Sequence, residues 1–182
     1  MANFYYAIDV VLRFEGGLSD NPHDPGGLTN FGITLPFMAD KDRVQKYLGH
    51  PGPGTRDDIR NLSKDQAKLI YLNEVWTPNR YGDVADDKVA CKIFDCAVNM
   101  GEKWGETFAQ QSANRLGQNL VVDGQIGDKS IAAINACDPI AFLNEYCKQQ
   151  KERYEHLVLN NPNLAVFLKG WLARAAWPFN GE

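Results

Sequence analysis

Long apolar runs are missing from this 182-residue chain. Nothing approaches the ~18 uninterrupted apolar residues of a spanning helix, so no membrane insertion is expected. An excess of positive charge is missing too: 19 Lys and Arg stand against 23 Asp and Glu, a formal net charge of −4. That balance offers no basic face, so nucleic acid is not expected as a partner, and any binding to an anionic polymer is left to shape and hydrogen bonds. Cysteine is scarce. Cys91, Cys96, Cys137 and Cys147 show no C-x-x-C spacing and no His at ligand spacing, so no metal site is expected. Buried free thiols are the plainer reading, with a Cys137–Cys147 disulfide left open should the protein reach an oxidising compartment. A basic leader is lacking as well: Met1 to Val11 carries Asp9 within its apolar stretch. Synthesis in the cytoplasm without a Sec signal is therefore expected.

What remains is the composition of a soluble globular protein, 44% hydrophobic and 23% charged. The length suits one domain, or one domain with two lobes, and a monomer is expected. No low-complexity linker and no internal repeat interrupts it.

Periodicity predicts a first helix over 3–15, with Phe4, Ile8, Val11 and Leu12 on one stripe and Asp9 and Arg13 opposite. Glu15 follows Leu12 by three residues and Val11 by four, so it projects from the buried stripe, and Gly16-Gly17 supplies a left-handed stop. A carboxyl there feels partial desolvation and the negative end of the helix dipole. Both disfavour the charged form, which suits a general acid. Asn21-Pro22 and Asp24-Pro25-Gly26-Gly27 then signal turns, and 29–34 reads as strand, so a hairpin or three-stranded lobe is expected.

Beyond it the chain reads as helices: about 37–48, 64–75, 87–100, up to 116, 128–136, 139–159 and a last one ending at Trp177-Pro178. Ser63 with Gln66 is a capping-box pair, and Asp128 and Asp138 stand where caps would. Ile140, Leu143, Cys147, Tyr154 and Leu157 are expected inward on one helix, and Leu164, Phe167, Trp171 and Ala175 share a stripe on the last. Gly101 and Gly105 would admit a close helix crossing. The predicted class is mainly α, or α+β: a lysozyme-like helical body with a small turn-rich β lobe flanking a cleft.

Two carboxyls across such a cleft are what glycoside hydrolysis needs, one protonated and one ionised, ~6.5–9.5 Å apart for an inverting route or about 5–5.5 Å for a covalent one. Glu15 is the candidate acid and Asp24 its partner, with Thr29 and Asn30 placed to hold a water or a sugar hydroxyl. Asp95 and Asn99, four apart on the helix over 87–100, could line the cleft floor, and Trp76, Tyr71 or Tyr81 could stack on sugar rings. Plainer readings stand beside these. Asp before Pro-Gly stabilises a turn by itself, a half-buried Glu can simply cap backbone amides, Asp95 and Asn99 fit a core hydrogen-bond network, and aromatics are commonly core. A calcium loop through Asp20, Asn21 and Asp24 lacks the EF-hand spacing and terminal Glu.

Glu15-Gly16-Gly17, followed by the run from Asp24 to Thr34, resembles the signature of glycoside hydrolase family 108, lysozyme-like N-acetylmuramidases of phages and bacteria, some known as secretion activator proteins. The resemblance continues through Phe94 to Gly101. It reaches Val122-Asp123-Gly124-Gln125-Ile126-Gly127 with Ile131 to Asn135, similar to a peptidoglycan-binding segment. It divides the chain into a catalytic region, 1–95, and a helical region, 96–182, integral to one domain. It puts the catalytic acid at Glu15. Residues 16–23 give the eight-residue gap between Glu and Asp of phage-type lysozymes, and Thr29 falls one residue closer than their Thr. The resemblance implies cleavage, without a cofactor, of the β-1,4 bond between N-acetylmuramic acid and N-acetylglucosamine in peptidoglycan, after release through a holin or a secretion route. A lytic transglycosylase and a non-catalytic wall-binding accessory protein are the alternatives.

Overall fold

The computed structural model describes residues 1–20 and 27–179. It is mainly helical with one small antiparallel sheet, the lysozyme-like class expected from the sequence. The chain forms two compact units, one of residues Ile8–Glu74 and one of Met1–Ala7 with Val75–Glu182.

In the first unit, the C-terminal part of helix α1 (Phe4–Glu15) contributes Ile8, Val10, Val11 and Leu12 to the core. Gly16 takes φ +72° and its N–H donates to the Leu12 carbonyl, the glycine stop read from the sequence. Strands β1 (Ser19–Asp20), β2 (Leu28–Asn30) and β3 (Ile33–Thr34) pair in that order, with Thr29 opposite both Ser19 and Thr34. Phe31 and Gly32 close the β2–β3 hairpin with φ of +52° and +78°, the signs of a two-residue type I′ turn.

The predicted helix over 37–48 is divided. A 3₁₀ turn (Phe37–Ala39) precedes α2 (Lys41–Leu48), because Asp40 is extended and its carboxylate accepts from the Asp42 and Arg43 amides as an N-cap. Helix α3 (Arg56–Asn61) was not expected, although Thr55 and Asp58 form a capping box visible in the sequence. The Ser63–Gln66 box does open α4 (Lys64–Tyr71), but the continuation to residue 75 is a π-helical turn, Leu72–Trp76. Glu74 there accepts from Tyr47, Arg43 (3.3 Å) and Lys46 (3.1 Å).

The second unit is built on α5 (Asp87–Met100), in which every residue from Val89 to Ala97 is buried. Helix α6 (Glu102–Arg115) crosses it at Gly105, where an added Cβ would meet the Ala97 nitrogen at 2.9 Å and the Ile93 carbonyl at 3.1 Å. Helices α7 (Asp128–Ala136), α8 (Pro139–Asn160) and α9 (Ala165–Ala176) complete it. Asp138 caps α8 as read. Gly127, not Asp128, occupies the cap of α7, and the Asp128 carboxylate pairs with Arg80 at 2.6 Å. Phe142, Tyr146 and Gln150 set the buried face of α8, which leaves Ile140 off that face and exposed; Phe167 on α9 is exposed too. All four cysteines are free thiols.

The buried charges inside this unit are matched, while Gln149 Oε1 and Gln150 Oε1 are buried without a partner. Arg174 holds Asp95 through Nε at 3.0 Å and Nη2 at 2.8 Å, and the buried Lys92 ammonium donates to the carbonyls of Arg174 and Ala175, each at 2.9 Å. The connection from Leu116 to Gly127 has neither helix nor strand. It is held instead by Glu106, Gln110 and Asn114, spaced four apart along one face of α6. Asn114 bonds Leu120 on both its N–H and its carbonyl. Gln110 accepts from the Asp123 and Gly124 amides and donates to the Gln125 carbonyl, and Glu106 accepts from the Ile126 amide.

Candidate active site

Helix α1 ends on Glu15, which is half-buried and faces the β2–β3 turn of its own unit. The turn comes close: a Cβ on Gly32 would sit 2.8 Å from Glu15 Oε2 and 3.1 Å from its Cγ, and would also collide with the Tyr71 hydroxyl. Tyr71, at the last position of α4, is buried and donates to the Phe31 carbonyl at 3.0 Å. Phe31 is a bulky residue at positive φ, which costs energy and persists only where its surroundings enforce it. The Tyr71 hydroxyl is one such restraint. Three groups thus meet: an acid at a helix end, a glycine that leaves it room, and a tyrosine that fixes the turn carrying the glycine.

Two other carboxylates of this unit, half-buried Glu74 and exposed Asp20, are held ionised. The Tyr47 hydroxyl, with Lys46 and Arg43, lowers the Glu74 carboxyl below its ordinary value. Arg56, with Arg60, does the same for Asp20, one of the two acids of the calcium-loop reading. An ionised carboxylate locked to cations cannot deliver a proton, so neither suits the role of general acid.

The remaining sequence-predicted residues fall in different settings. Asp24 lies outside the described residues. Thr29 is partly exposed at the middle of β2, where strand alternation turns it away from the face of buried Leu28 and Asn30. The Asn30 amide nitrogen donates to the carbonyls of Ile59, Arg60 and Leu62 at 3.0–3.4 Å, fastening β2 to α3. Asp95 is fully buried in its ion pair with Arg174 and therefore does not line a cleft floor as expected. Trp76 is likewise core, packed edge to face on Phe94 at 5.3 Å and Phe4 at 5.5 Å, and it has no exposed face for a sugar ring. Asn99 is exposed and accepts from the Tyr154 hydroxyl at 2.7 Å.

Sequence reasoning missed Gly32 and Tyr71 as neighbours of the acid. Phe-Gly is an unusual pair for a type I′ turn, where Asn-Gly is the usual signal, so the expected hairpin lobe was read without its turn being placed at Phe31 and Gly32. Glu106 was also missed. Buried beside the Tyr81 hydroxyl (3.2 Å), its carboxyl is pushed up to about 7, chiefly by desolvation.

Residues 8–101, half of the sequence, match the model of glycosyl hydrolase 108. The chain belongs to this family. Residues 105–176 match a second model, described as a predicted peptidoglycan domain. Among solved structures, SagA from Brucella abortus is similar over 95% of this chain and 89% of its own, with 28% identity and a TM-score of 0.72. No match was found among curated proteins. Membership of the family, together with the second match, places the chain in peptidoglycan-related function.

Proposed function

We propose that the chain is an N-acetylmuramidase that hydrolyses the β-1,4 bond between N-acetylmuramic acid and N-acetylglucosamine in peptidoglycan. The observation that carries this reading is the seating of Glu15 at the end of α1, against Gly32 and the hydroxyl of Tyr71, in a member of a glycoside hydrolase family. Glu15 protonates the leaving glycosidic oxygen. Asp24 supplies the second carboxylate that the chemistry requires, and Thr29 orients the attacking water. The enzyme reaches the wall through a holin pore or a secretion route, in phage lysis or wall remodelling.

The test is digestion of purified peptidoglycan followed by mass spectrometry of the soluble products. Reducing muramic acid ends, absent with Glu15→Gln, are the expected result. Anhydro-muramic ends would replace the hydrolase with a lytic transglycosylase. No release by the wild type, or full release by Glu15→Gln, would remove the catalytic reading.

A further inference from the structure

Trp76 packs against Phe4, Tyr81 and Phe94, and no ring face is left open. Its indole nevertheless borders a cavity of about 330 Å³ in the second unit. The residue is only 5% exposed, and its Nε1–H donates to no acceptor among the described residues. A buried donor without an acceptor costs stability, so this one calls for a group brought in from outside.

Gly82 keeps that donor accessible. A Cβ there would sit 3.2 Å from Trp76 Nε1. The residue lies in the 3₁₀ turn Tyr81–Asp83 and has no positive φ that would require glycine. What a side chain would occupy is the space at the indole N–H, where Gly82 and Trp76 meet on the cavity wall.

The rest of the wall is set in advance. Arg80 holds a left-handed backbone, φ +58°, which a non-glycine residue keeps only under restraint. Its guanidinium bonds Asp83 Oδ2 at 2.8 Å and Asp128 Oδ1 at 2.6 Å. Asn135 donates to the Asp83 carbonyl at 3.1 Å and accepts from the Ala85 amide at 2.8 Å. The Ala2 amide donates to the Gly82 carbonyl at 2.9 Å, which brings an apolar residue to the same wall.

These groups select a ligand. Arg80 is already met by two carboxylates, so the cavity offers an acidic molecule no free cation. Asp83 Oδ1 has no donor among the described residues and can accept from a hydroxyl. The indole N–H needs an acceptor on a short arm, with an apolar end to lie near Ala2. An acetamido group on a sugar ring has that form: its carbonyl accepts, its methyl packs, and a ring hydroxyl reaches Asp83. At ~30 Å³ per water the cavity equals on the order of ten waters, enough for one such ring.

We infer that this recess is an accessory binding site for a neutral N-acetylhexosamine unit of a glycan. Trp76 Nε1–H holds the acetamido carbonyl, and Asp83 holds a hydroxyl. The site lies outside residues 105–176 and outside the unit that carries Glu15. It rests on the glycan-cleaving reading of the chain and adds a place that holds sugar without cleaving it.

The test uses the full chain with Glu15→Gln to prevent turnover. Chitotetraose is titrated by ¹⁵N NMR, with maltotetraose as the probe lacking acetamido groups, and Trp76→Phe identifies the Trp76 indole signal. Expected is a saturable shift of that signal with chitotetraose and none with maltotetraose. Adding Gly82→Ala, whose methyl crowds the N–H, should weaken the affinity read at Trp76 about tenfold. Asp83→Asn, a change at a partly exposed side chain, should also weaken it, and serves if Gly82→Ala fails to fold. An unmoved Trp76 signal, equal shifts with both sugars, or wild-type affinity in folded Gly82→Ala and Asp83→Asn would overturn the site. The two readings fail separately. Peptidoglycan digestion by the wild type with an unmoved Trp76 signal removes the site alone, and a shifted signal without wild-type digestion removes the catalysis alone.

Discussion

Gly32 stands so close to Glu15 that a single added methyl group would press on the carboxyl at 2.8 Å. The backbone at Gly32 has φ +78°, so a side chain there is strained as well as crowded. Gly32→Ala should therefore cost about 1–3 kcal/mol of stability and displace Glu15. The expected result is a loss of peptidoglycan-clearing activity of at least ~100-fold in protein that remains folded by circular dichroism. Near-normal clearing would mean that the turn does not position the acid.

Tyr71→Phe removes only the hydroxyl bonded to the Phe31 carbonyl. Because that bond restrains a residue at φ +52°, its loss should lower the unfolding free energy by about 1–2 kcal/mol. It should also reduce kcat more than it raises KM, since the substitution loosens the seat of the acid without adding bulk. Urea unfolding and turbidity kinetics measure the two effects.

Asp24→Asn keeps a side chain able to stabilise the turn and removes the proposed second carboxylate. If Asp24 activates the water, clearing should fall by about 100- to 10,000-fold while the thermal midpoint barely moves. Wild-type rates would return Asp24 to a turn residue.

The ion pair between Asp95 and Arg174 is closed to solvent, so truncating one partner leaves an uncompensated charge. Asp95→Ala should destabilise the protein by roughly 3–5 kcal/mol, measured by urea unfolding. Asp95→Leu combined with Arg174→Met should recover most of that loss.

Glu106 makes stability depend on pH. Its folded value is about 7 against an ordinary 4.5, so between those values the folded state keeps a proton that the unfolded state has released. Stability from this group is full at about pH 4.5 and declines as the pH rises through about 7, by on the order of 1–3 kcal/mol. Glu106→Gln, which can still accept on one atom and donate from the other, should flatten that slope in melts recorded from pH 5 to 8.

Much of this architecture was legible because it follows from local chemistry. The stripe on α1 placed Glu15, Gly16 stopped the helix, Ser63 and Gln66 opened α4, and the all-round apolar character of α5 marked it as core. What was hidden depends on tertiary partners. Asp95 looked like a site residue until Arg174, 79 positions away, was found bonded to it. Trp76 looked like a sugar platform because periodicity cannot tell a buried indole from an open one. The Phe31–Gly32 turn was hidden since its backbone signs are enforced partly by Tyr71, a side chain remote in sequence.

The connection from Leu116 to Gly127, rich in glycine and polar residues, has the composition of a site that proteases cut. Its amides at 120, 123, 124 and 126 are nevertheless each bonded to a side chain of α6. Cleavage requires an extended, released backbone, and releasing this one breaks all those bonds together with the buried seats of Glu106 and Gln110. The segment should therefore resist limited proteolysis and protect its amides from hydrogen exchange as a regular element would.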